Sequence, residues 1–115
     1  NDWVGCLKGY PGIHTPNIDR LARQGVLFTD AHCSAPLCNP SRTAILTGLR
    51  PSTTGIYNND QYLRPHHPDI VTMPVHFRRN GYHVAGAGKI FHHTAGNNPP
   101  DQWDEFQLQQ FDDPW

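Results

Sequence analysis

The stretch that decides the fold, residues 72–89, reads TMPVHFRRNGYHVAGAGK. Thr72 is a typical helix N-cap, so a helix is predicted from there to about Asn80, and Gly81 suits its end. Residues 82–86 then alternate in the manner of a β-strand that ends just before Lys89. A helix followed directly by a strand is the repeating unit of α/β proteins.

An equivalent helix-to-strand step occurs earlier in the chain. Thr15 followed by proline is typical of a helix start, and we predict a helix over residues 16–24 that Gly25 ends in the left-handed conformation. The apolar run at residues 26–29 predicts a buried strand. Two such steps predict an α/β layered fold with a mainly parallel sheet, in which chemistry collects at the strand ends.

Composition excludes several classes of protein. The 115 residues carry nine basic and ten acidic side chains without a basic run, which argues against a nucleic-acid-binding protein. No apolar stretch approaches the roughly 20 residues of a membrane span, so none is expected. Because Asn1 opens the chain without a methionine or a signal-like segment, we expect a removed leader or a fragment.

The three cysteines do not form a disulfide framework, because they are few, widely spaced and outside any Cys-x-x-Cys pair. If Cys38 is reserved for chemistry, Cys6 and Cys33 either pair or remain as thiols. We favour buried thiols, since unpaired cysteine packs as a small hydrophobic residue.

The residues that bear chemistry begin with the sequence CNPSR, residues 38–42. A second helix is predicted over residues 40–47, with Cys38 near its N-terminus and Gly48 past its end. Backbone N–H groups and the helix dipole stabilise an anion there, and the forked donors of Arg42, four residues on, lie on the same face. Such a pocket suits sulfate or phosphate. An ordinary helix cap with a solvent-facing arginine fits the spacing equally well.

The other parts of the chain are predicted to be irregular. Residues 49–69 are assigned to a loop that is longer than compact domains usually contain without a function. We expect residues 94–115 to be rich in loops, with Trp103 and Phe106 as anchors. Lys89 and Cys38 each follow a predicted strand, so we expect them to converge on one edge of the sheet.

Three segments resemble one enzyme family. The pattern Cys-x-Pro-Ser-Arg followed by Leu-Thr-Gly resembles the signature of the formylglycine-dependent sulfatases, in which a maturation enzyme converts the cysteine to formylglycine. Residues 15–28 and 81–92 are similar to further segments of that family, in the same order. The resemblance implies an alkaline phosphatase-like fold, of which residues 1–115 would be the N-terminal part of one catalytic domain, without its first strand and C-terminal half.

The resemblance also implies roles for individual residues. Cys38, Arg42, Lys89 and His92 match the catalytic positions, and His93 is a weaker candidate than His92. The three-residue spacing of lysine and histidine is similar to that of the iduronate-2-sulfatase-like branch. One hydroxyl of the hydrated aldehyde at position 38 would attack sulfur, so that the ester alcohol departs and a covalent sulfate remains. The other would then lose a proton to His92 as sulfate leaves, while Arg42 and Lys89 stabilise the negative charge.

Cofactor and partners follow from the same resemblance. The family implies calcium, with magnesium as an alternative, bound partly by the formylglycine derived from Cys38 and otherwise by residues outside this chain; Asp2 is rejected as a ligand. Expected partners are a sulfated small molecule or carbohydrate and the formylglycine-generating enzyme. The family implies a periplasmic, secreted or lysosomal location. We expect the isolated chain to be inactive.

Three alternatives remain. A phosphonate or phosphodiester hydrolase of the same superfamily would use the same motif. A sulfatase-like chain whose cysteine is never converted would be non-catalytic. A small zinc module would use His32, Cys33, Cys38 and either His92 or His93, although no zinc-finger spacing supports it.

Overall fold

The computed structural model describes residues 3–92 and 98–107. The chain divides into two compact units, Asn1–His32 and Cys33–Trp115. The first unit contains a 3-10 turn, Gly5–Leu7, and helix α1, Pro16–Gln24. The described part of the second unit contains α2 (Cys38–Thr47), α3 (Pro51–Thr54), α4 (Leu63–His66), α5 (Met73–Arg79), β1 (Ala85–Ala87), a 3-10 turn (Pro100–Gln102) and β2 (Glu105–Gln107).

Helix α1 has the bounds predicted from the sequence. The hydroxyl of Thr15 ties its start to the preceding turn, since Oγ1 accepts the N–H of Gly5 at 2.8 Å and donates to Asp19 at 2.9 Å. Gly25 ends the helix with φ −114°, so the predicted left-handed conformation is wrong. Its N–H still donates to the carbonyl of Leu21, which keeps the last backbone bond in the helical pattern.

The strand predicted over residues 26–29 is wrong. Residues 26–28 have no regular secondary structure, and Val26 and Phe28 are 78% and 76% exposed. A strand requires a partner for its backbone groups, and the sheet in the described ranges consists of β1 and β2 alone. The predicted burial of this apolar run is therefore wrong as well, since no strand among the described residues covers it.

The second unit confirms the predicted α/β class and parallel sheet. Strands β1 and β2 pair in parallel, with Gly86 opposite Phe106. Strand β2 was not predicted, because residues 94–115 were expected to be rich in loops; residues 94–97 and 108–115 of that segment lie outside the described residues.

A small hydrophobic core lies under this sheet. Its buried members are Leu46, Phe91 and Trp103, against which Phe106 packs as a half-buried side chain. Trp103 contacts both Phe91 and Phe106 ring to ring, with centroids 6.3 and 5.1 Å apart. The prediction that Trp103 and Phe106 are anchors is confirmed, and the core joins helix α2 to the segment that follows β1.

The connections differ from the prediction in detail. The long loop at residues 49–69 contains two short helices, α3 and α4, so its assignment as entirely irregular is wrong. Helix α5 lies within the predicted range, whereas β1 begins at Ala85, later than residue 82. Among the described residues, the helices are all too short or too polar to cross a membrane.

Candidate active site

Cys38 is the first residue of helix α2 and is exposed. Leu37 precedes it in extended backbone, and Gly48 ends the helix at φ 72°, as predicted for a glycine past the helix end. The side chain of Leu37 cannot cap the helix. The capping acceptor comes instead from Asn59, whose Oδ1 accepts the N–H of Asn39 at 3.0 Å. That amide is therefore not available to an anion bound at this helix end.

Lys89 reaches the same place from the end of strand β1. Gly88 separates it from the strand with φ 67°, a left-handed conformation that favours glycine, and turns the chain out of the sheet. The ammonium nitrogen of Lys89 lies 3.9 Å from the sulfur of Cys38. The expected convergence of these two residues is therefore observed, although Cys38 does not follow a strand.

Arg42 connects helix α2 to the backbone that carries Lys89. Its Nη1 donates to the carbonyl of Lys89 and, at 2.9 Å, to the carbonyl of Ile90. The sequence predicted a guanidinium directed at the group on Cys38. The observed contacts instead hold the main chain of the lysine segment, one helical turn along from Cys38.

Of the two histidine candidates, the structure describes His92 but not His93. His92 is only 5% exposed and follows Phe91, a member of the core, whereas Lys89 is exposed. His93 lies outside the described residues. The preference for His92 over His93 stays a prediction.

An amide-rich part of the loop at residues 49–69 contacts the start of α2; the length of this loop suggested a function, but none of its residues was predicted to contribute to the site. The buried side chain of Asn39 donates through Nδ2 to the carbonyls of Asn58, at 2.9 Å, and Gln61, at 2.6 Å. The signal available in the sequence was three side-chain amides close together in the long loop at residues 49–69, namely Asn58, Asn59 and Gln61.

The charges near Cys38 favour a bound anion more clearly than a cation. Within residues 3–92 and 98–107, no three His, Cys, Asp or Glu side chains are grouped so that they could hold a metal ion. Calcium takes about six to eight oxygen ligands, which these residues do not provide. The zinc hypothesis, which needs His32, Cys33, Cys38 and a later histidine, likewise finds no ligand group there.

The cysteines are free thiols. Cys6 is half-buried, but Cys33 is exposed, so the expectation that both are buried is wrong for Cys33. Its position in the irregular segment before α2 gives it no apolar surroundings of the kind that the core provides.

Comparison with known proteins agrees with this geometry. The sequence model of the sulfatase family matches residues 5–114. A sulfatase from Formosa agariphila is 50% identical over 91% of the chain and 21% of its own length. Iduronate 2-sulfatase from Mus musculus is 40% identical over 87% of the chain and 18% of its own length. An ulvan-active sulfatase from Formosa agariphila is 39% identical over 77% and 17%.

The chain thus spans about a fifth of the length of these relatives. The match nevertheless covers nearly the whole chain, including the residues that converge around Cys38. On this combination of sequence match and geometry, the chain belongs to the sulfatase family.

Proposed function

We propose that the protein containing this chain hydrolyses sulfate esters, with residue 38 as its nucleophile after conversion of Cys38 to formylglycine. The observation that carries this proposal is the position of the Lys89 ammonium, 3.9 Å from the Cys38 sulfur at the N-terminus of α2. In the converted protein, oxygen atoms would extend from the carbon that now bears sulfur. A cation at this distance stabilises the negative charge of a sulfuryl group beside it.

Each residue of the site has a proposed role. The hydrated aldehyde would supply two hydroxyls on one carbon: one would attack sulfur and displace the ester alcohol, and the other would give up its proton as the aldehyde reforms and sulfate leaves. Lys89 places positive charge beside the reacting group. Arg42 fixes the backbone of Lys89 through the carbonyls of residues 89 and 90. His92 is the proposed base that accepts the proton.

The family resemblance implies a calcium ion, to which position 38 would contribute a ligand. The described residues supply no cage for it, and position 38 would be one ligand among several that lie elsewhere. The polypeptide of residues 1–115 alone is expected to be inactive.

For the substrate, we propose a sulfated sugar. The support is the three-residue spacing of Lys89 and His92, together with 40% identity to a relative named for iduronate. The same charges would also accommodate a phosphodiester, since phosphate and sulfate are similar tetrahedral anions. Loops that contact the rest of the substrate decide this choice, so it requires measurement.

The test uses the full-length protein that carries this chain, produced with a formylglycine-generating enzyme. Mass spectrometry of the peptide with residue 38 should show the aldehyde. The purified protein should hydrolyse an aryl sulfate faster than an aryl phosphodiester, and Cys38→Ala should remove turnover. Cys33→Ala is the matched control, because Cys33 is also an exposed free thiol.

Two results would contradict the proposal. The first is an unmodified thiol at position 38 in every preparation, which would indicate a non-catalytic sulfatase-like chain. The second is a Cys38→Ala protein that turns over as fast as the Cys33→Ala control. Faster hydrolysis of the phosphodiester would move the assignment to the phosphodiesterase alternative.

A further inference from the structure

We propose that Asn39, Asn59 and Gln61 act together as positioning residues for the nucleophile at position 38. We call these three residues the amide clamp. The inference rests on the proposed sulfatase function and extends it, because none of the three belongs to the cysteine, arginine, lysine and histidine set. It assigns to the loop at residues 55–61 the task of orienting the first turn of α2.

Asn39 is the centre of the amide clamp. It is 3% exposed, and its backbone N–H and side-chain NH2 donate to the loop. Nδ2 donates to the carbonyls of Asn58, at 2.9 Å, and Gln61, at 2.6 Å, while the backbone N–H donates to Asn59 at 3.0 Å. The hydroxyl of Thr43 donates to Oδ1 at 3.4 Å. A buried amide with this many partners has one orientation, since any other leaves polar groups unpaired.

Gln61 fixes the loop that meets Asn39. Its Oε1 accepts the N–H groups of Tyr57, at 2.6 Å, and Asn58, at 2.8 Å, and its Nε2 donates to the carbonyl of Gly55 at 3.1 Å. One side chain therefore closes the loop on itself. The closed loop presents the carbonyls of residues 58 and 61 to Asn39 from a fixed position.

The position of residue 38 depends on this arrangement. Cys38 is exposed, so core packing does not hold its side chain. Its neighbour Asn39 is held by the loop, and Arg42 holds the same helix one turn later against the lysine segment. These two attachments fix the rotation of the first turn, and with it the direction from residue 38 to Lys89. A displacement of about 1 Å at a reacting centre can cost on the order of 100-fold in rate.

If Asn59 were only a helix cap, its loss would lower the stability of α2 without affecting the chemical step. If it positions residue 38, its loss also lowers kcat. The deciding pair of variants is Asn59→Ala, which removes the acceptor for the Asn39 N–H, and Asn59→Asp, which keeps an oxygen there. In the converted full-length protein, Asn59→Ala should lower kcat by about 10- to 100-fold with KM within about twofold. Asn59→Asp should lie much closer to wild type.

The control and a second variant separate this effect from general loss of stability. Asn80 also donates through its amide to a carbonyl, that of His76 at 2.8 Å, at the exposed end of α5, so Asn80→Ala should keep the wild-type kcat. Gln61→Ala should reproduce the loss of kcat. The double variant Gln61→Ala with Asn59→Ala should lose no more than the larger single loss, because both act on one attachment. All rates are referred to the aldehyde content measured by mass spectrometry.

A readout that needs no turnover accompanies the kinetics. Hydrogen exchange in the first turn of α2 should accelerate in Asn59→Ala and not in Asn80→Ala, both measured in the inactive Cys38→Ala background. If wild-type protein is fully converted but does not hydrolyse sulfate esters, the proposed function fails, and exchange alone decides whether the amide clamp holds this turn.

Three outcomes overturn the inference. One is a wild-type kcat in folded Asn59→Ala, and another is a loss confined to KM. The third is an additive loss in the double variant. If Asn59→Ala is unfolded at the assay temperature, Gln61→Ala decides, since it leaves the bond between Asn59 and Asn39 in place and removes the three bonds by which Gln61 closes the loop. A kcat within about twofold of wild type would then overturn the proposal.

Discussion

Replacing Arg42 by alanine tests the link between helix α2 and the lysine segment. Arg42 donates through Nη1 to two consecutive carbonyls, and it is half-buried. Arg64 makes a matching pair of contacts elsewhere in the second unit. Its Nη1 donates to the carbonyls of Pro68 and Ile70, both at 3.0 Å, and it is also half-buried. The two arginines therefore differ mainly in whether they hold the residue beside Cys38.

The expected magnitude follows from these contacts. A hydrogen bond from a charged donor contributes about 1.5–3 kcal/mol, and partial access of water replaces some of it. We therefore expect either alanine variant to lower the free energy of unfolding by about 1–3 kcal/mol. Only Arg42→Ala also displaces Lys89 and removes positive charge near the reacting group. A loss of about 2–4 kcal/mol of transition-state stabilisation corresponds to a kcat lower by about 30- to 1,000-fold.

The assay compares kcat and thermal unfolding for both variants in the converted full-length protein. Arg42→Lys, which keeps the charge but not the forked geometry, should fall between Arg42→Ala and wild type. If Arg42→Ala loses less than about threefold in kcat, the reasoning is refuted. Equal losses of kcat in Arg42→Ala and Arg64→Ala would also refute it, because the effect would then be one of stability.

Two further predictions concern stability. A methyl group added in Gly86→Ala would lie 2.8 to 3.0 Å from three side chains in or beside the core, so the free energy of unfolding should fall by about 1–3 kcal/mol. In thermal unfolding, Gly25→Ala is the control, because no atom lies nearer than 3.4 Å to its added methyl group. The N–H of Val84, followed by Arg78, holds the pKa of Asp104 below its ordinary 3.8. A carboxyl group whose pKa is lowered in the folded protein stabilises the fold above its ordinary pKa, and this stability is lost as the pH falls through the lowered pKa. Asp104→Asn should therefore make the free energy of unfolding fall less steeply with decreasing pH below about pH 4. An unchanged pH dependence would contradict this prediction.

Sequence patterns predicted the helices better than the strands. The bounds of α1 and the end of α2 at Gly48 follow from local signals, namely proline at a helix start and glycine after its end. The apolar run at residues 26–29 carries no information about its partner. Strand β2 has only Phe106 between two polar residues, which is too short a pattern to detect.

In the candidate site too, features carried by local sequence patterns were predicted and contacts between distant residues were not. The motif around Cys38 and the lysine after β1 were identified through their resemblance to one enzyme family, and their proximity is observed. The bonds from Arg42 to backbone carbonyls were not apparent, because a carbonyl acceptor leaves no mark in the residue type. Asn39 occupies a position in the motif whose importance depends on loop residues about 20 places later, and local patterns do not connect such distant residues.

The parallel pairing of β1 and β2 has a consequence for the order in which the protein forms during translation. All residues of helix α2 and of the loop that meets Asn39 have been synthesised once residue 61 has left the ribosome. Lys89 is synthesised later, and the strand that pairs with β1 ends only at Gln107. Since Leu46 of α2 packs against Phe91 and Trp103, which are also synthesised later, a nascent polypeptide exposes position 38 before the helix is packed and before the neighbouring lysine is anchored beside it.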